Sequence, residues 1–503
     1  MACQKERSVT MRKDEEKKEQ EQIEEFIAKI NQCSDQEIIE RAETITKYLR
    51  KKHAYELDRK VKIFSALTIK DLNLKARWVK ESFLEMTEST SVYDWPSLIT
   101  ILKASPDKIQ EFLLDSLLSN HAFEMEQECL PISNFPHYGM ELEYCALRFQ
   151  TIKTLAITNQ LLAKIMHGLK IPDDFVNQIT NHLVFEKKNA FTKWILSKEC
   201  GNDWTPEISS PIMTNTLNDL NQLKAICLLV KELGAMTNET TGLHINIDAN
   251  YFEGNVEALQ NLLIIWGECE ELFYKMASEE GERIRLVAQH SCCPIQDNIQ
   301  MALEEKRNFK LETKEDYFYF LYFIQVRNRL KTVFHYEGID LSDYNVDIDA
   351  ITEREKYKLF KKFFRRKDIN DTAIRYTSLN FSHMKWYKKD KGRIEFRIFD
   401  SSLSYPVIIE DLLLIAKLCE VSLNLTKSNQ KQSQFSLLQD HEVREEEKLN
   451  RLLDLLFDEE KIKEVFKHRW QSVKEDSYYQ RFEGEILTFS NREPSSHRLV
   501  KHV

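Results

Sequence analysis

Three short stretches alternate between apolar and polar side chains with a period of two, the signature of a β-strand half buried in a sheet. In residues 392–400, Ile394, Phe396 and Ile398 point one way while Arg393, Glu395 and Arg397 point the other. In residues 241–248, Leu243, Ile245 and Ile247 oppose His244, Asn246 and Asp248. Residues 139–144 place Glu141 and Glu143 on one face, about 7 Å apart along the strand. Residues 191–197, 205–210 and 375–381 read as further strands, with Glu207 and Ser209 sharing a face before Pro211. Together with the polar link 385–392, the stretch 375–381 predicts an antiparallel hairpin ending in 392–400.

The rest of the chain follows helical spacing. Ser34-Asp35-Gln36-Glu37 has the form of a capping box, opening a helix through Ile38, Ile39, Ala42, Ile45 and Tyr48. Ser105-Pro106-Asp107 starts another, with Pro at the first helical position. Helices are predicted near 161–167 and from Thr216 through Leu233, the latter closed by Gly234. Residues 251–370 read as mostly helical, with an aromatic run at 317–323 and a basic stretch at 361–367 that reads as a solvated helix face. The chain turns polar after Leu418 and then helical and acidic over 442–464. The predicted class is α+β: an antiparallel sheet with helices in residues 126–420, a helical accessory domain in 1–125, and a helical appendage with a tail in 421–503. The accessory helices at either end are a possible docking place for a protein partner.

Composition narrows the function classes. With 503 residues, 42% hydrophobic, the chain can bury the core of two or three domains. A net charge of -10 supplies no basic field for nucleic acid. The first 25 residues are of mixed charge without the apolar core of a secretory leader, and the longest apolar segments are too short or too charged to span a bilayer. Ten cysteines are scattered with no CxxC pair, which points to a reducing, cytoplasmic setting and to packing for Cys292-Cys293. Only 11 glycines occur, and none forms a Walker loop or a GxGxxG fingerprint. Any bound nucleotide is therefore held by side chains and metals.

The polar strand faces carry the candidate chemistry. Two carboxylates as close as Glu141 and Glu143 repel unless a cation lies between them, which is what a divalent metal site needs. A solvated acidic strand is the alternative for that motif alone. His244, Asn246 and Asp248 suit oxygen-rich coordination with one imidazole, or contacts to a polar substrate; a structural histidine is the alternative. Arg283, Arg285 and Arg375 are candidate clamps for phosphate or carboxylate, whereas Arg393 has no assigned role and reads as solvated.

Taken in order, Gly139-Met140-Glu141-Leu142-Glu143, Glu207-Ile208-Ser209-Ser210-Pro211, Thr241-Gly242-Leu243-His244-Ile245-Asn246 and Leu379-Asn380 with Ile394-Glu395-Phe396-Arg397 resemble the amidoligase family of carboxylate-amine ligases. That family is distantly related to glutamine synthetase and glutamate-cysteine ligase. The resemblance covers roughly residues 130–420. It departs from the family at Asn246, where the third motif usually reads His-x-His. It implies a glutamine synthetase-like antiparallel sheet whose acidic face holds magnesium against ATP, with amide formation through an acyl phosphate. Glu141, Glu143, Glu395 and His244 become the implied metal ligands, and Arg397 and His244 the implied catalytic groups. ATP would meet Arg397, Arg375 and Asn380, and the substrates Glu207 and Asn246. The implied partners are carboxylate and amine substrates, small molecules or proteins. Phosphoryl transfer to a guanidine-type acceptor, or a binding role on a degenerate ligase fold, are the alternatives.

Overall fold

The computed structural model describes residues 21, 23–51, 54–83, 91–117, 123–144, 159–185, 194–198, 206–232, 235, 237, 241–277, 292–307, 309–344, 346–369, 372–427, 438 and 443–472. The three alternating stretches lie side by side at the centre of one sheet: β1 (Tyr138–Glu143), β5 (Gly242–Asp248) and β7 (Arg393–Asp400). Around them are β2 (Leu183–Phe185), β3 (Trp194–Lys198), β4 (Pro206–Ser209) and β6 (Leu379–Asn380), in the order β2-β3-β4-β1-β5-β7-β6. Every pairing from β3 to β6 is antiparallel, as the alternation predicts. The edge strand β2 departs from that expectation and runs parallel to β3.

The register determines which side chains meet. Glu141 sits opposite Ser209 on one side and His244 on the other, and Glu143 opposite Glu207. Asn246 faces Glu395, which faces Asn380 across β6. A slip of one residue would turn each of these side chains into the core.

Helices α1 (Asp35–Lys51), α2 (Tyr55–Thr68), α3 (Leu72–Phe83), α4 (Ser91–Ala104) and α5 (Asp107–Leu117) form the N-terminal region. The capping box is present: Ser34 N donates to Glu37 at 2.8 Å and Glu37 N to Ser34 Oγ at 3.4 Å. Helices α6 (Asn159–Gly168) and α7 (Asp173–His182) follow β1, and Lys164 on α6 ties back to Asp107 and Gln110 on α5 at 2.8 Å each. Next come α8 (Leu217–Glu232), α9 (Val256–Met276), α10 (Gln296–Glu304), α11 (Lys314–Leu321), α12 (Leu330–Tyr336), α13 (Glu353–Phe364) and α14 (Tyr405–Asn424). The proposed cap of α8, Gly234, lies outside the described residues. On α13, Lys361 pairs with the exposed Glu315, in keeping with a solvated basic face.

Helix α9 is buried almost all round, as its apolar sequence requires. Asn255 caps it by accepting from Glu257 N and Ala258 N, and it packs on the apolar face of the sheet, with Trp266 edge-on to Phe396 at 5.4 Å. The C-terminal α15 (Glu445–Leu456) and α16 (Glu460–Ser472) close over α9 and α14 through Lys275 to Glu445 at 2.6 Å and Arg469 to Asp411 at 2.7 Å.

Segment 375–381 is less of a strand than its alternation predicts. Residues Ala373–Arg375 form a 3-10 turn, and only Leu379–Asn380 pairs with β7. The cause is Cys293, which bridges Thr377 by donating from its N to Tyr376 O at 3.2 Å and accepting from Ser378 N at 2.9 Å, while Gln325 Oε1 accepts from Phe381 N at 2.8 Å. Gln325 lies in a π-helical turn, Tyr322–Val326, that begins at the end of the aromatic run.

The hairpin turns at Gly392, where φ is +73°. A Cβ there would meet His383 O at 2.3 Å. Gly392→Ala is therefore expected to cost about 2–4 kcal/mol, combining left-handed backbone strain with a backbone clash. The denaturation midpoint checks it, and a loss below ~0.5 kcal/mol, the range of ordinary surface substitutions, would contradict it.

Glu270, buried on α9, accepts from Trp266 Nε1 at 3.1 Å, Ser378 Oγ, Ile295 N at 3.0 Å and Gln296 N at 2.6 Å. It thereby joins α9 to the start of α10 and to the segment before β6. Burial pushes its carboxyl up to about 7 against those hydrogen bonds. An unfolded glutamate titrates near 4.3, so between there and about 7 the folded chain holds the extra proton. Its contribution to stability therefore grows as pH falls through that window. Glu270→Gln leaves one oxygen for several donors and is expected to cost about 1–3 kcal/mol. Its deficit should be larger at pH 5 than at pH 8 in paired urea titrations; an equal deficit at both would contradict the shift.

Candidate active site

The pleat brings three carboxylates and one imidazole to the same face of β1, β5 and β7. His244 is at the centre: its Nδ1 lies 3.2 Å from Glu141 Oε2 and 3.4 Å from Glu395 Oε1, and its Nε2 lies 3.4 Å from Glu143 Oε1. Glu141, His244 and Glu395 each offer a ligand atom within 4.8 Å of the others. Asn246, one pleat along β5, donates from Nδ2 to Glu141 Oε1 at 3.3 Å. Glu143 is held from behind, accepting from Gly242 N at 2.7 Å.

Glu395 is anchored at both oxygens. Asn380 Nδ2 donates to Oε2 at 2.6 Å, and the buried guanidinium of Arg397 donates from Nη1 to Oε1. The amide of Asn380 is oriented unambiguously, because its Oδ1 accepts from Ser382 N at 2.9 Å and Gln325 Nε2 at 3.1 Å. Asn380 thus reaches the site through Glu395. Gln325 is itself oriented by Phe381 N, which donates to its Oε1 at 2.8 Å.

The charges of the cluster act strongly on one another. Burial opposes ionisation of Glu141, but the His244 hydrogen bond and the charges of Arg393, His244 and Arg397 outweigh it and hold the carboxyl well below the usual range. For Glu395 burial is likewise overcome, chiefly by Arg397, and its carboxyl is lowered. Burial disfavours the charged Arg397, but Glu395, Glu143 and Glu141 more than compensate and raise its pKa. On β4, burial and the charges of Glu141 and Glu143 push Glu207 up to about 7, with Ser209 Oγ donating to it at 2.9 Å. Burial and Arg393 push His383 down to about 4, leaving a neutral imidazole 3.9 Å from Glu395.

The donor set fits a hard divalent cation. Three carboxylates face one another, and the buried Asn246 Oδ1 and His244 Nε2 have no hydrogen-bond partner. An oxygen-rich cluster with unanswered acceptor capacity is the chemistry that magnesium takes.

Several sequence expectations are refined. Arg393, assigned to solvent by its alternation, leans toward Glu141 at 3.7 Å and remains half exposed. Asp248 lies past the cluster at the end of β5, where it accepts from Asn250 N at 2.8 Å. Arg375 is half buried at the edge of the site, donating to Tyr376 Oη at 3.3 Å. Arg283 and Arg285 lie outside the described residues. His383 and Gln325 carry no signal in the alternation, since one comes from the turn between β6 and β7 and the other from a π-helical turn.

Residues 137–419, spanning β1 to the body of α14, match the family model described as "putative amidoligase enzyme". Neither curated proteins nor solved structures give a match to this chain. Among the described residues, no helix is long and apolar enough to cross a membrane. The matched span is more than half of the chain and contains every residue of the acidic cluster, and the chain belongs to the amidoligase family, a family of ligase-type enzymes.

Proposed function

We propose that the chain is an ATP- and magnesium-dependent carboxylate-amine ligase on a glutamine synthetase-like sheet. The observation that carries this reading is the convergence of Glu141, Glu143, His244 and Glu395 on one face, beside the buried Arg397. Glu141, Glu395 and His244 would hold magnesium, with Glu143 and Asn246 behind them. When bound, the metal would neutralise phosphate charge and so permit two anions to approach.

The chain's own residues supply the rest. Arg397 places a fixed positive charge where the phosphoryl group transfers to the substrate carboxylate, and its guanidinium is already aligned by Glu395. Asn380 and Gln325 lock Glu395, so no reorganisation is needed when charge develops. Glu207 presents a carboxyl on the β4 side of the face, suited to receive the amine that displaces phosphate from the acyl phosphate. The lack of a Gly-rich phosphate loop is consistent with phosphates gripped by metal and side chains.

The test is a product assay. Incubation with ATP, magnesium and panels of carboxylates and amines should yield an amide with stoichiometric ADP and phosphate. A phosphorylated acceptor without amide would establish a kinase instead, and no metal-dependent ATP binding by calorimetry would establish a non-catalytic role.

A further inference from the structure

Two arginines on one irregular turn are treated very differently. The turn runs from the π-helical Tyr322–Val326 into the 3-10 segment Arg327–Arg329. Arg327 is fully answered: it pairs with Glu305 at 3.1 Å and Glu353 at 3.3 Å, and lies over the Phe323 ring at 4.4 Å. Arg329 is not. It is 9% exposed, its Nε and Nη2 are buried without a hydrogen-bond partner, and Nη1 reaches only Gln325 O, at 3.5 Å. An unpaired buried guanidinium is costly and persists where an anion completes it.

The turn that carries Arg329 packs on a segment bearing a second arginine, with the carboxylate of Glu337 held at the start of that segment by Ala373 N at 2.7 Å. The turn is pinned to residues 374–378 by Gln325, which bonds Ile374 O and Thr377 Oγ1. That segment carries Arg375 and Tyr376, both half buried, with the guanidinium 5.1 Å from the ring centroid and bonded to the hydroxyl. Ser378 O, at its end, accepts from Arg397 N at 2.9 Å. The charge of Arg329 is felt at Cys293 and Tyr336, which flank the same segment. The segment that carries Arg375 is thus bonded at one end to Gln325, one helical turn before Arg329, and at the other to the backbone of Arg397. Irregular helical turns of this kind often occur at functional sites.

We propose that Arg329, with Arg375 and the hydroxyl of Tyr376, forms an oxyanion-binding subsite beside the acidic cluster, taking a carboxylate or phosphate group of a ligand. The planar guanidinium fork matches either oxyanion. Within the ligase reading the subsite would serve the nucleotide phosphates or a second carboxylate of the substrate, but simple anions test it without that reading.

Pyrophosphate and glutarate stand in for the two sources, titrated into the full chain with EDTA present so that the acidic cluster holds no metal. Thermal unfolding and calorimetry are the readouts. At least one anion should raise the melting temperature, and which of the two does so identifies the source. Arg329→Met and Arg375→Gln should each weaken that anion's binding by about tenfold or more, the usual effect of losing a charge-assisted hydrogen bond. Arg329→Met should also melt higher than wild type without ligand, because it removes an unpaired buried charge; an arginine with a structural role would make the variant melt lower. The proposal is overturned if neither anion stabilises wild type, or if Arg329→Met melts lower and keeps the anion response. Should Arg329→Met fail to fold, unchanged anion affinity in Arg375→Gln overturns it.

Discussion

Glu141→Gln and Glu395→Gln should each lower magnesium-dependent ATP turnover about 100- to 1000-fold, the scale on which single preorganised electrostatic groups act. Both changes keep the side-chain shape and remove one negative charge from the group of three, Glu141, His244 and Glu395, whose ligand atoms lie within 4.8 Å of one another. The two variants should differ in stability. Glu395 is fully buried between Asn380 and Arg397, so its neutralisation leaves a buried guanidinium without its nearest counter-charge and should cost about 3–5 kcal/mol. Glu141 is partly open to solvent, and its replacement should cost much less. Turnover at saturating ATP over a magnesium series, paired with urea denaturation, separates these effects. Wild-type turnover in either variant would remove both residues from the mechanism. The double variant should lose little more than the worse single one, since ligands of one ion act as a unit.

Arg397→Met should destabilise the sheet as strongly as Glu395→Gln when metal is absent. It leaves Glu141, Glu143 and Glu395 facing one another across β1 and β7 with their principal cation gone, a loss of about 3–5 kcal/mol. Magnesium should restore part of that stability by supplying the missing charge, yet turnover should stay low because the guanidinium itself is absent. Arg397→Lys is not a conservative rescue, as an ammonium cannot reproduce the fixed fork held by Glu395. Melting curves with and without magnesium provide the check. An equal loss under both conditions, with turnover intact, would mean that Arg397 only packs.

The centre of the sheet was legible because period-two alternation records which side chains share a face, even though the polar face is itself buried. It placed Glu141, Glu143, His244, Asn246, Glu395 and Arg397 on one side, and the register brought those six together. What alternation could not reveal was anything set by tertiary contact. Gln325 fixes Asn380 from inside a π-helical turn, and no local pattern distinguishes that turn from the surrounding aromatic helix. Arg393 read as solvated because its neighbour Glu141 is more than 250 residues earlier in the chain. The hairpin strand came out short for a similar reason: Cys293 and Gln325, both remote in sequence, claim backbone groups that the ladder would have used. The edge strand β2 is three residues long, too brief for periodicity to register at all.

The most direct test of the metal site is anomalous diffraction at the manganese edge from crystals grown with Mn²⁺ and a non-hydrolysable ATP analogue. A peak should lie within about 2.0–2.2 Å of carboxylate oxygens from both Glu141 and Glu395, with the analogue's phosphates completing its coordination. A fully ordered analogue with no peak between those two carboxylates would contradict the account.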